Sequence, residues 1–507
     1  MEYWSNLATG FQTAFGWEPL LFCFVGVTLG TFVGVLPGIG ALAAISMLLP
    51  VTFYLDPISA LIMLAGIYYG AQYGGSTASI LLNTPGTVTQ AVTCLDGHPM
   101  AKQGRAGVAL FTTTITSFIG GSFAILLLMF LAPMLASVAL SFGSAEYFAV
   151  ILFGLVVAST LSGEAPIKGF AMVALGVMLG FVGIDGNSGT MRYQFGFFEL
   201  SDGLNLVAVA MGLFGIAEIL SNLVRKESAP FVIEKVTLRS MLPTRQDVRD
   251  SAWPTARGTL IGSFAGILPG TGAAIAPFIA YITEKRLSRT PERFGNGAIE
   301  GIASPEASNN AAAQAAFVPT LSLGIPGDAV MAIMLGALMI HGIVPGPQLI
   351  AQQPVLFWAL IASFWIGNVM LLVLNIPLIG VWVRVLQIPY HVLYPTMLFL
   401  ICVGVYSTSN SIMDVGVALV FGFIGYFMIL LRYPTAPLLL GFILGPLMEV
   451  HLRRALMISQ GDFSTFFSSA VGTGFLIASA LVIVFSIRSA RLARMARLDA
   501  VPEKQEA

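Results

Sequence analysis

Apolar stretches recur along almost the whole chain, and most are long enough for the ~20 helical residues that cross ~30 Å of hydrocarbon. In the first half they fall near 19–36, 39–55, 57–73, 107–138, 145–161, 166–184 and 203–223. In the second half they fall near 258–282, 311–323 with 328–344, 355–386, 394–408, 412–431, 434–449 and 466–487. The pattern predicts an all-α polytopic membrane protein of about a dozen transmembrane helices, some of the stretches being half-spans.

The polar intervals divide this pattern. One long polar segment, 225–257, carries seven Lys/Arg (225, 226, 235, 239, 245, 249, 257) against four Asp/Glu (227, 234, 247, 250). By the positive-inside rule it is expected to be cytoplasmic. It separates a first membrane repeat, 1–224, from a second, 258–487, which is followed by a basic tail, 488–507, also expected inside. A second basic group, Lys285, Arg286, Arg289 and Arg293, follows only one apolar stretch later. Either 258–282 enters and returns as a re-entrant hairpin, or it is a broken full span whose far loop defies the charge rule.

Two copies of one Gly-Pro phrase open the two halves: GVLPGIGA at 34–41 and GILPGTGA at 266–273, 232 positions apart. Proline removes a backbone donor and glycine supplies no side chain, so a membrane helix carrying this phrase should break. A second Pro-Gly turn follows each: SILLNTPGT at 79–87 and LSLGIPGD at 321–328. A weaker echo joins LGVMLG at 175–180 with LGFILG at 440–445. Seven spans before the second copy would turn it upside down, giving inverted repeats about an axis in the membrane plane. Broken helices at membrane depth are tolerated where they are packed in protein or line a polar cavity, and paired breaks point to a transporter's binding site.

Composition agrees. Of 507 residues, 56% are hydrophobic and 10% charged, which lies outside the soluble globular range. A net charge of −1 gives no reason to expect nucleic-acid binding. Cys23, Cys94 and Cys402 are scattered, and His98, His341, His391 and His451 have no ligand spacing, so neither a disulfide framework nor a zinc site is supported. No GxSxG, HExxH or clustered Asp pair supports an intramembrane enzyme, which is the rival reading with an anion channel; no catalytic residue is assigned.

Around the breaks stand small hydroxyls and amides rather than fixed cations. The candidate substrate-binding residues are Gly38, Ser76, Thr77, Asn83, Thr84, Pro85, Gly86, Thr87, Gly270, Thr271, Ser322, Pro326 and Gly327. A carboxylate wants N–H and O–H donors and the positive end of a helix dipole. Oxygen-rich Asn83, Glu306, Asn309, Asn310 and Asp328 are the candidate ligands for a hard cation, Na⁺. In GIASPEASNN, 301–310, the carboxylate followed by two amides suits either a helix start capped by Asn or a cation site. Asp185 and Arg192 read as an ion pair at the end of a span.

The phrases GVLPGIGA, YYGAQYGGSTASILLNTPGT, DGHPMAKQGRAG, GIDGNSGTMRYQFG, GILPGTGA, GIASPEASNN and LGIPGDAVMAIMLGALMIHGIVPGPQL occur in this order. Together they resemble the large permease subunit of the tripartite tricarboxylate transporters, the TctA family. The resemblance implies a multi-pass permease of the bacterial inner membrane that imports tri- or dicarboxylates by alternating access, coupled to a cation gradient, Na⁺, with no other cofactor and no ATP. It also implies two partners, a small four-helix membrane subunit (TctB-like) and a periplasmic substrate-binding protein (TctC-like). The family's motif positions fall here on Gly34, Pro37, Gly38, Asn83, Pro85, Gly86, Gly266, Pro269, Gly270, Glu306, Asn309, Asn310, Pro326 and Gly327.

Overall fold

The structure is a computed structural model that describes residues 2–36, 40–160, 166–185, 188–223, 237–268, 272–386, 388 and 390–499. The first half contains α1 (Glu2–Ala14), α2 (Trp17–Val35), α3 (Ala41–Leu48), α4 (Pro57–Leu82), α5 (Ala91–Met100), α6 (Ala106–Ala139), α7 (Ser144–Ser159), α8 (Pro166–Gly180), α9 (Leu206–Ala210) and α10 (Ala217–Leu223). The second contains α11 (Arg245–Ile267), α12 (Gly272–Leu287), α13 (Glu300–Ala315), α14 (Phe317–Leu323), α15 (Ala329–Ile340), α16 (Pro347–Gln352), α17 (Pro354–Asn375) and α18 (Ile379–Val385). It closes with α19 (Tyr390–Ser409), α20 (Ile412–Leu430), α21 (Thr435–Ile458) and α22 (Ala470–Asp499). Two short antiparallel strands, β1 (Gly183–Ile184) and β2 (Met191–Arg192), pair Gly183 with Arg192.

The chain is thus an all-α polytopic membrane protein. Among the described residues, eight helices are long and apolar enough to cross a bilayer, and further apolar helices of 10–17 residues accompany them. Lipid-facing character shows on α6 and α20, where Phe123, Phe130, Val420 and Phe423 stand exposed. By contact, the chain forms two compact units, one of Met1–Leu140 with Asn205–Tyr426 and one of Ser141–Leu204 with Phe427–Ala507.

The first unit is organised by two glycine stripes. A Cβ at Gly26, Gly30 or Gly34 on α2 would strike the backbone of Met63, Ile67 or Ala71 on α4. A Cβ at Gly258, Gly262 or Gly266 on α11 would strike Ser304, Ser308 or Ala312 on α13. Each pair advances four residues on both helices, so α2 runs parallel to α4 and α11 runs parallel to α13. Small residues let the backbones close to this distance, which is how helices associate without a hydrophobic driving force. The chain must return between the members of each parallel pair, through α3 in the first half and α12 in the second. In the second half the return is a tight fold-back: Arg257 on α11 grips Glu284 on α12 through two hydrogen bonds of 2.7 Å. Helices α11 and α12 therefore lie side by side, as the hairpin reading of 258–282 expects.

The second unit repeats the device. The echoed phrases pack on each other, Gly176 and Gly180 of α8 against Leu438 and Phe442 of α21, and Gly441 and Gly445 against Val173 and Val177. Here too the two helices run parallel. Asp185 pairs with Arg192 at 2.6 Å, as its place in the sequence suggests, and with Arg453 at 3.0 Å.

Candidate functional site

Helix α4 is buried without interruption from Ser59 to Ile80, and α13 from Gly301 to Ala315. Their polar residues can stand at membrane depth because protein, not lipid, surrounds them. Each of the two Pro-Gly turns ends the helix it follows. Asn83 caps α4 with a left-handed φ of 55°, and Gly324 ends α14 with φ 71°; Pro85-Gly86 and Pro326-Gly327 then lie in non-helical backbone. The residue before a proline is pushed out of the helical region, which fixes the break. Helix α2 ends at Val35 and α11 at Ile267, within the first residues of the Gly-Pro phrases. Pro37, Gly38, Pro269, Gly270 and Thr271 themselves lie outside the described residues.

Side chains of the two halves meet in a buried polar layer. Asn309 Nδ2 on α13 donates to Gln72 Oε1 on α4 at 3.1 Å, and Thr89 Oγ1 donates to the same oxygen at 3.4 Å. Asn310 Nδ2 donates to Ser117 Oγ on α6 at 2.7 Å. Thr93 on α5 donates to Glu306 Oε1. Tyr73 donates to Asn368 Oδ1 on α17 at 2.7 Å, and Asn368 donates in turn to Ser122 at 3.0 Å. Asn309 and Asn310 stand in the body of a helix that starts at Glu300, so they are not caps.

Several buried polar atoms in this region make no hydrogen bond among the described residues: Ser76 Oγ, Ser304 Oγ, Ser308 Oγ, Glu306 Oε2, Gln314 Oε1 and Tyr69 OH. Buried polar groups are nearly always paired, so these atoms keep the capacity to bond a water or a ligand; Ser304 and Ser308 among them face α11.

The remaining sequence candidates divide by position. Thr77 is buried on α4. Gly86 is buried against the Gly34 carbonyl and Gly75. Thr87 directs its N–H and hydroxyl to Gln90 Oε1, at 3.2 and 3.0 Å. Ser322 bonds back to the Val318 carbonyl at 2.6 Å, and the Gly327 N–H donates to Thr320 Oγ1 at 3.2 Å. Pro85 is half-buried and Pro326 buried, whereas Asn83 and Thr84 are exposed at the end of α4. Asp328 is the N-cap of α15: Oδ1 accepts the Met331 N–H at 2.8 Å and Oδ2 accepts the Tyr68 hydroxyl. That helix start is already neutralised by its own carboxylate, and the matching turn in the first half has the uncharged Thr87 instead.

Sequence reasoning did not single out Thr93, Ser117, Tyr68, Gln90 or Asn368. None stands out by residue type from its neighbours, Ser117 for example closing the run TTTITS at 112–117, and only packing brings each to the layer. Gln72 lies within the phrase YYGAQYGGSTASILLNTPGT that carries the resemblance.

The many apolar helices around a sealed polar layer are those of a multi-pass membrane protein, and comparison with known proteins gives its family. The chain belongs to the Tripartite tricarboxylate transporter TctA family, which it matches over residues 20–440. It is therefore a large subunit of a tricarboxylate transporter of that kind. It is similar to an "Uncharacterized 52.8 kDa protein in TAR-I ttuC' 3'region" of Agrobacterium vitis, 49% identical over 97% of this chain and 98% of the relative. It is also similar to an "Uncharacterized protein in TAR-II ttuC' 3'region" of Agrobacterium vitis, 50% identical over 45% of this chain and 97% of the relative. No solved structure matches.

Proposed function

We propose that the chain is the membrane subunit of a binding-protein-dependent secondary transporter. It imports a tri- or dicarboxylate by alternating access, coupled to a cation gradient, with Na⁺ as the coupling ion. In this reading it sits in the bacterial inner membrane, receives its substrate from a periplasmic binding protein and works with a small membrane subunit. The observation that carries the reading is the buried layer of amides and hydroxyls joining α4 to α13. Such groups can donate to a carboxylate and release it, whereas fixed charges would hold it or cost heavily in the membrane. Helices α4, α6 and α13 contain no lysine, arginine or histidine.

Alternating access is supported by the way the halves face each other. Gln72 and Ser76 on α4 lie opposite Asn309 and Glu306 on α13, so the facing residues run in opposite order along two corresponding helices. Opposite order is what an inverted repeat requires. The glycine stripes supply the correspondence: 26, 30 and 34 match 258, 262 and 266 at a constant offset of 232. The echo in α8 and α21 packs in parallel and belongs to the other unit, so it gives the inverted relation no support.

Proteoliposome uptake tests the reading. With the purified partner proteins and a panel of di- and tricarboxylates, an imposed Na⁺ gradient is expected to drive accumulation of at least one of them. Asn309→Ala and Asn310→Ala are expected to abolish uptake with normal insertion. Uptake unaffected by both variants, or a current flowing without any binding protein, would overturn it in favour of a channel.

A further inference from the structure

Glu306 is wholly buried, with Oε1 accepting from Thr93 and Oε2 without a hydrogen bond among the described residues. The hydroxyls of Ser76 and Ser117 face the same carboxyl without closing a sound bond to Oε2. Ser76 Oγ is itself unpartnered, and Ser117 Oγ accepts the Asn310 amide, which leaves it a second lone pair. Helices α4, α5, α6 and α13 therefore bring three hydroxyl groups around the Glu306 carboxyl, one of them bonded to Oε1.

Among the described residues no basic side chain pairs with this carboxyl. Of the groups on α5, His98 is engaged with the Ile80 carbonyl at 3.1 Å. Asp96 is held by the N–H groups of Gly295, Gly297 and Ala298 and by the Tyr281 hydroxyl. Tyr73 on α4 and Cys94 on α5 also lie near it, and neither carries positive charge. A buried carboxyl that stays ionised needs a partner of opposite charge. An all-oxygen donor set is that of a hard cation, and a single negative charge suits a monovalent one.

We infer that Glu306, Ser76, Thr93 and Ser117 form the site of the coupling Na⁺. This rests on the ion-coupled reading above and assigns the ion to four side chains. Asn83, exposed at the end of α4, and Asp328, occupied as a helix cap, are outside it. Three ligands belong to the first half and the carboxylate to the second, so a bound ion draws the halves together at their seam. Ser117 also holds Asn310, whose neighbour Asn309 holds Gln72, so the ion orders the amide layer that receives the carboxylate.

Binding is measured on the full chain in nanodiscs, without substrate or partner proteins. The readouts are thermal stability against NaCl, at ionic strength held constant with choline chloride, and equilibrium binding of radioactive sodium. Wild-type protein is expected to show saturable stabilisation by Na⁺ and none by K⁺. Glu306→Gln is expected to lose both signals. Thr93→Val and Ser117→Ala are expected to raise the half-saturating Na⁺ concentration by on the order of tenfold, the loss typical of an altered metal environment. Asp328→Asn is expected to leave it unchanged. Absence of Na⁺ binding by the wild type, wild-type saturation in Glu306→Gln, or loss of binding in Asp328→Asn alone would overturn the site. Should Glu306→Gln not fold, Thr93→Val and Ser117→Ala decide: unchanged half-saturation in both overturns it. Na⁺ binding that follows this pattern in a protein that imports no carboxylate would overturn the transport reading and leave the site standing.

Discussion

The amide pair Gln72–Asn309 shows how much one side chain can contribute at this depth. Both groups are buried, and the bond between them links helices of different halves. Interhelical hydrogen bonds in membranes average about 0.6 kcal/mol by double-mutant cycle, with a maximum near 1.7, because the unfolded chain also finds partners. A cycle of Gln72→Leu, Asn309→Leu and the double variant, read by unfolding in detergent, is expected to give a coupling in that range. A coupling of zero would mean the two amides do not depend on each other. Asn309, Asn310 and Glu306 were legible in the sequence because a carboxylate and two amides are conspicuous in so apolar a chain. Thr93 and Ser117 were not, since a hydroxyl in a membrane helix usually bonds to its own preceding turn. Thr114 does this on α6, donating to the Leu110 carbonyl at 2.8 Å.

At the scale of elements, the breaks at Pro85 and Pro326 could be read from residue type, but the parallel pairing of the helices around them could not. Its signal was present as glycines four residues apart ahead of each Gly-Pro phrase, and spacing alone does not say which partner a stripe meets. A methyl group at Gly262 meets the Ser308 carbonyl, while one at Gly416 on α20 meets nothing within 4 Å. Gly262→Ala is therefore expected to cost about 1–3 kcal/mol of stability, as overpacking does. Gly416→Ala is expected to cost nothing measurable in the same thermal melts. At its polar end α11 begins with a capping box: the Thr244 hydroxyl bonds the Asp247 N–H, and Asp247 accepts the Thr244 N–H at 2.9 Å and an ion pair from Arg105. Burial pushes the Asp247 carboxyl up, but the Thr244 N–H and hydroxyl and the Arg105 guanidinium outweigh it and hold the group below the usual carboxylate range. A carboxylate lowered on folding adds stability that is present above its unfolded pKa near ~3.9 and is lost as pH falls through the folded value. Asp247→Asn is accordingly expected to be less stable than wild type at neutral pH and to flatten the acid limb of a stability–pH curve. Equal acid limbs would remove Asp247 from that role.

For the whole molecule, duplication and compactness divide the chain differently. The repeat phrases split it near the polar segment 225–257, of which the last part is already helix α11, whereas contact groups 141–204 with the C-terminal 427–507. The echo of 175–180 in 440–445 shows in the sequence that these segments are alike, not that they pack together, so only the first division was visible there. The second unit has its own charge lock. Arg192 bridges Asp185 at 2.6 Å and Glu449 at 3.0 Å, and Arg453 bridges the same two carboxylates at 3.0 and 2.6 Å. Two cations and two carboxylates balance, so removing one carboxylate leaves both guanidiniums competing for Asp185. Exposed pairs contribute about 0–1 kcal/mol each, and a closed network of four contributes more because every side chain is already held by its neighbours. The proposed Na⁺ ligands all lie in the other unit. Glu449→Gln is therefore expected to lower the unfolding temperature of the second unit, followed by limited proteolysis of 141–204 on heating, while the half-saturating Na⁺ concentration stays at the wild-type value. A change in Na⁺ affinity as large as that of Thr93→Val would mean that the unit without ligands sets the geometry of the one that has them.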